Sequence, residues 1–168
     1  RYADMYEPDA LPQPHAGAWS AMHDDPVTAA NPSAWRGKMT PGQIARARTS
    51  YYGSISFIDA QIGRLVTGLH EESPDQLANT WLLFTSDHGD MLGDHNLWRK
   101  TYAYEGSARI PFLVVPPSQQ GNPKRSCATE VVELRDVMPT LLEAAGLPIP
   151  DLVDGHSVLP LLTAPAPD

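Results

Sequence analysis

Leu82-Leu83-Phe84-Thr85-Ser86-Asp87-His88-Gly89-Asp90 runs from an apolar strand into a polar turn, with Leu97-Trp98-Arg99-Lys100 and Tyr104-Glu105-Gly106 following it. The segment from Thr80 to Phe84 is short and apolar, with β-branched and aromatic members. Ser73-Pro74-Asp75 precedes it and Gly89 follows, the pattern of a buried strand in an α/β sheet. Ligands of such sheets gather at the carboxyl ends of the strands. Asp87 offers a metal ion a hard oxygen and His88 a nitrogen. Successive side chains of a regular strand point to opposite faces, so both serve one ion only where the strand breaks. Gly89 is expected to supply the break through a positive φ. Lys100, a compact charge on a long stem, can reach an oxyanion and stabilise charge developing during ester cleavage, with Arg99 as the competing cation. An Asp-His pair at a strand end equally suits a cap or turn, and a lone lysine a solvated surface. Spacing alone leaves both readings open.

The wider segments Phe84 to His95, Leu97 to Lys100 and Tyr104 to Pro111 resemble the C-terminal half of the sulfatase catalytic domain. Tyr51 to Gly63 resembles the helix that precedes the family's metal strand, and Leu134 to Leu142 and Asp154 to Leu162 the segments after it. Tyr2 to Pro8 resembles the stretch following the family's His-Pro-Pro-Phe type segment. The resemblance implies an α/β, alkaline-phosphatase-like sandwich with a largely parallel central sheet flanked by helices, here as its C-terminal portion. It implies Asp87 and His88 as ligands of a divalent cation, calcium in the first place. The imidazole keeps zinc or manganese open, because calcium generally prefers all-oxygen shells. It also implies Lys100 as the contact to the substrate's sulfate.

Sulfatases use a formylglycine nucleophile made from a Cys- or Ser-x-Pro-x-Arg motif, with two further aspartate ligands near the N-terminus, and neither is found in this sequence. The only cysteine, Cys127, lacks the Pro and Arg after it and reads as a small hydrophobe at the start of a strand. The chain of 168 residues is therefore expected to be a piece of a longer domain and to hydrolyse nothing alone. The substrate implied is a sulfated small molecule or carbohydrate. Related phosphodiesterases and phosphonate monoester hydrolases share the Asp-His-Gly turn and are the alternative, as is a non-catalytic remnant.

A net charge of −8 argues against nucleic-acid binding. No apolar run approaches the roughly 20 residues that cross a membrane.

Residues 1–39, rich in Pro, Asp and Ala, read as an extended wrapping segment in which His15 and His23 are surface residues. Residues 40–162 carry the helix, the metal-site strand and turn, later strands and a further helix, and 163–168 a frayed tail. Thr40, Pro41 and Gln43 form a helix-start signature. Ile44, Ala47, Tyr51, Ile55, Ile58, Ile62, Leu65 and Leu69 recur at spacings that predict one buried face, with Asp59 beside it on the surface and Tyr51 and Tyr52 as packing groups. Ile110 to Val115 and Val131 to Leu134 read as strands, and residues 121–125 as a turn. Asp136 is expected to cap a helix with Pro139 in its first turn and Val137, Met138, Leu141, Leu142 and Ala145 on its apolar face, ending at Gly146. Glu105 and Arg109 either pair to hold the Lys100 loop or face solvent. His95, between Asp94 and Asn96, is a weaker candidate for the substrate pocket, since its neighbours are ordinary turn residues.

Overall fold

Helix α1 (Pro41–Glu72) begins where the sequence places it. The Thr40 backbone N–H donates to Gln43 Oε1 at 2.9 Å, and the Gln43 N–H donates to Thr40 Oγ1 at 3.3 Å, so both ends of the capping box close. The computed structural model describes residues 1–23, 35–100, 102–120 and 127–163. The turn expected at 121–125, residues 164–168 of the tail, and the side chains of His23 and Thr163 lie outside what is described. The described elements after α1 are α2 (Pro74–Ala78), β1 (Leu82–Thr85), α3 (Glu105–Ala108), β2 (Phe112–Val115), α4 (Val137–Ala144) and α5 (Leu159–Thr163). No described helix is long and apolar enough to cross a membrane.

The chain divides into two compact units, 1–71 with 88–110 and 72–87 with 111 onward. In the first, the buried apolar side chains are Leu11, Met91, Leu97 and Trp98. The Trp98 indole N–H donates to Gly37 O at 3.2 Å and its backbone N–H to Trp35 O at 2.8 Å, fastening residues 35–37 along the loop. The face of α1 expected to be buried is not. Ile55, Ile58, Ile62 and Leu65 are all exposed, and the buried positions of the helix are Arg48 and Gly53. Those two positions are buried by close backbone approach and by polar contact. A Cβ on Gly53 would lie 2.6 Å from the Ala3 nitrogen, so only glycine lets the backbone at Tyr2–Ala3 reach the helix.

In the second unit β1 and β2 pair antiparallel, with Leu82 opposite Val115 and Thr85 opposite Phe112. Among the described residues these two strands make up the sheet. Residues 86–111 leave and return at the same end of the pair, whereas a parallel pair needs a crossover. Val131 to Leu134 is not a strand: Val131 is almost wholly exposed, and a 3₁₀ turn occupies Leu134–Asp136. Asp136 precedes α4, but its side chain does not cap it. Its carboxylate accepts instead from the Glu133 N–H at 2.9 Å and the His156 N–H at 2.8 Å. Thr140 Oγ1 donates to Asp136 O at 2.6 Å and accepts from the Val158 N–H at 3.0 Å. Met138 and Leu141, expected on the apolar face, are exposed, and Pro139 and Thr140 are buried because the polar network pulls that side inward. Gly146 ends the helix at φ 68°, with its N–H on Glu143 O and the Leu147 N–H on Leu142 O. Cys127 is exposed, and no strand begins at it.

Candidate functional site

β1 ends at Thr85, and Ser86 and an exposed Asp87 follow it as the last residues of that segment of the second unit. His88 opens the loop of the first unit. The break after the strand has a different cause from the one the sequence suggested, for Gly89 is not among the positive-φ residues. A Cβ there would lie 2.2 Å from Gly106 O, while the Gly89 N–H donates to Ser107 O at 2.8 Å. Close backbone approach, not turn geometry, demands glycine. We expect Gly89→Ala to cost about 2–3 kcal/mol, because backbone lies on both sides of the clash and no rotamer relieves it. Amide exchange at residue 89 reads this directly, and unchanged protection would refute it.

Lys100 Nζ lies 2.7 Å from His88 Nε2, and His88 Nδ1 lies 2.8 Å from Gly89 O. An ammonium only donates, so Nε2 is the acceptor and Nδ1 carries the proton that it donates to the carbonyl. The carbonyl fixes the ring and its tautomer as it does in a metal-ligating histidine, but here the Nε2 lone pair is taken by the Lys100 ammonium. His88 is open to a cation only with Lys100 turned away from Nε2. Among the described residues no group of three or more His, Cys, Asp or Glu side chains is placed to hold a metal.

The remaining sequence candidates sit on a strained turn. Leu92, His95, Asn96 and Arg99 all have positive φ (47°, 56°, 59° and 67°), which non-glycine residues adopt only when their surroundings enforce it. Two groups that the sequence did not single out enforce it here. Asp90 Oδ1 accepts the N–H groups of Leu92 at 2.8 Å and of Arg99 at 3.2 Å. Arg48, with its side chain 9% exposed, donates to Leu92 O at 2.8 Å and lies 4.0 Å from Asp94 Oδ1, while its Nε has no hydrogen-bond partner. An Asp two residues before a turn was a readable cue for Asp90. Nothing local marks Arg48, which acts from 44 residues away. Burial and then the charge of Asp90 raise the Tyr51 pKa, so the phenol stays protonated at neutral pH. Arg99 is held at the turn by its backbone, with an exposed side chain. His95 Nδ1 accepts the Gly17 N–H at 3.1 Å. His15, expected as an isolated surface residue, donates its backbone N–H to Asp94 and packs edge-on to His95. Glu105 and Arg109 pair at 3.3 Å but are both more than four-fifths exposed, so the pair contributes little to holding the loop.

The chain superposes on the phosphonate monoester hydrolase of Silicibacter pomeroyi with a TM-score of 0.78 and 31% identity, over 99% of this chain and 34% of that one. The fold is that of the alkaline-phosphatase-like hydrolases. A structure solved with its substrate, D-glucosamine-2-N,6-O-disulfate, superposes over 75% of this chain and 26% of its own at a TM-score of 0.59 and 28% identity. The arylsulfatase of Clostridium perfringens is 44% identical over 96% of this chain. Human arylsulfatase K is 33% identical over 91% of it. With the sulfatase profile matching residues 5–147, the chain belongs to the sulfatase family. It spans about a third of the length of the curated relatives it matches, 33% for the Clostridium protein and 28% for the human one.

Proposed function

We propose that the full-length protein hydrolyses the sulfate ester of a small molecule or carbohydrate, and that this chain supplies the oxyanion-binding lysine and part of a divalent cation site. The observation that carries the reading is the 2.7 Å contact between Lys100 Nζ and His88 Nε2. It puts a positive charge beside a histidine whose ring is oriented by the Gly89 carbonyl. Turned from the imidazole to a bound sulfate, the ammonium offers it N–H donors. As the S–O bond breaks, charge grows on the ester oxygen, and a pre-placed ammonium favours that state over the ground state. Asp87 and His88 would hold the cation, calcium in the first place with zinc or manganese as alternatives, once the Lys100 ammonium has left Nε2 for the sulfate. When bound, it supplies further positive charge to the sulfate. Arg99 and His95 are the neighbouring candidates for substrate contact. A formylglycine nucleophile would come from elsewhere in the full-length protein.

Phosphonate monoester hydrolysis is the second reading, favoured by the superposition on that class of enzyme over 99% of the chain. A comparison of kcat/KM for an aryl sulfate and an aryl phosphonate monoester in the full-length protein separates the two. Chelation followed by calcium, manganese or zinc tests the cation. The sulfate reading expects the sulfate ester to lead by at least about tenfold and activity to return with a divalent ion. A lead for the phosphonate would transfer the assignment.

A further inference from the structure

The strained turn that ends at Lys100 also carries an aromatic stack. The rings of Trp19 and His95 lie 4.4 Å apart, those of His95 and Tyr104 5.3 Å, and those of Trp19 and Tyr104 5.7 Å with planes 20° apart. Tyr102 extends the row, 6.2 Å from Tyr104.

A stack that serves only to bury apolar surface belongs inside, as the buried Trp98 of the same loop does. Trp19 and Tyr104 are instead 43% and 39% exposed. Large aromatic surface left together in water marks a place of recognition more often than a place of packing. The stack is also rigidly built. The His95 N–H donates to His15 O at 2.7 Å, and the His15 N–H donates to Asp94 Oδ1 at 3.0 Å. Gly17 holds the His95 ring by Nδ1, so its Nε2 keeps the proton. His95 adopts φ 56°, a conformation a β-carbon opposes, and the surroundings enforce it.

The stack is tied to the anion-directed pair as well. The Ser107 N–H donates to Tyr104 O at 2.9 Å, and the Gly89 N–H, next to His88, donates to Ser107 O at 2.8 Å. Two hydrogen bonds therefore join the ring row to the backbone that holds the His88–Lys100 contact.

We propose that Trp19, His95 and Tyr104 form the subsite for the ring of the ester's alcohol part, a six-membered ring with a flat face, while Lys100 holds the anion. This rests on the function proposed above for Lys100. Aryl and pyranose rings share the chemistry of a flat face, and a pyranose can in addition accept from His95 Nε2–H.

Non-hydrolysable sulfonates test it on the full-length protein by calorimetry: ethanesulfonate, which has the anion without a ring, phenylmethanesulfonate, and 6-deoxy-6-sulfoglucose. The expected result is that one or both ring compounds bind about 3- to 10-fold more tightly than ethanesulfonate. Trp19→Leu and Tyr104→Leu should each remove that advantage and leave ethanesulfonate affinity unchanged. The stronger of the two ring compounds identifies the source of the ring. Equal affinity for all three compounds, or an advantage that survives both substitutions, overturns the inference. Lys100→Ala should weaken all three alike. If it weakens none while the ring advantage still depends on Trp19, the anion assignment fails and the ring subsite stands.

Discussion

If the full-length protein hydrolyses sulfate esters as proposed, replacing Lys100 with alanine should lower its kcat/KM by about 10²- to 10³-fold, the usual cost of removing one pre-placed oxyanion donor. The loss should appear in both KM and kcat, because Lys100 meets the charge already present on the bound sulfate and the further charge that grows on the ester oxygen as the S–O bond breaks. Lys100→Arg should restore little. A guanidinium is planar and forked, and the compact ammonium's place at 2.7 Å from His88 Nε2 does not suit it. A phosphonate ester would suffer the same loss, so the experiment judges the lysine and not the ester class. A fall of less than threefold would remove Lys100 from the mechanism.

Asp136→Ala should destabilise the second unit by about 3 kcal/mol. The side chain is buried, and two backbone donors, those of Glu133 and His156, would lose a charged acceptor while the space it filled is left empty. Asp136→Asn keeps one acceptor oxygen and should cost about half as much. Because the chain forms two compact units, one global unfolding curve would blend them. Amide exchange at Glu133, His156 and Val158 isolates the effect, and unchanged exchange in the alanine variant would show that the carboxylate does not hold the segment.

These two residues show what the sequence made readable. Lys100 and His88 are 12 residues apart with only a turn between them, and the chemistry of the pair is visible in the residue types. The start of α1 was readable for the same reason, since the Thr40–Gln43 box is complete within four residues. Asp136 was placed correctly before a helix and given the wrong work. Its partner His156 is 20 residues on, and no local rule reports a contact at that distance. Val131 and Val132 suggested a strand through β-propensity, but the reciprocal bonds of Glu133 and Asp136 fix a tight turn there. Gly89 was recognised as necessary for a reason that the backbone does not bear out. Its constraint comes from Gly106, which only the folded loop brings close.

The exposed stripe on α1 has a thermodynamic consequence. Ile55, Ile58, Ile62 and Leu65 present hydrocarbon to water along roughly 15 Å of helix. Any association that covers them dehydrates that surface and carries a negative heat-capacity change. Its enthalpy therefore becomes steadily more exothermic on warming, whatever its value at one temperature.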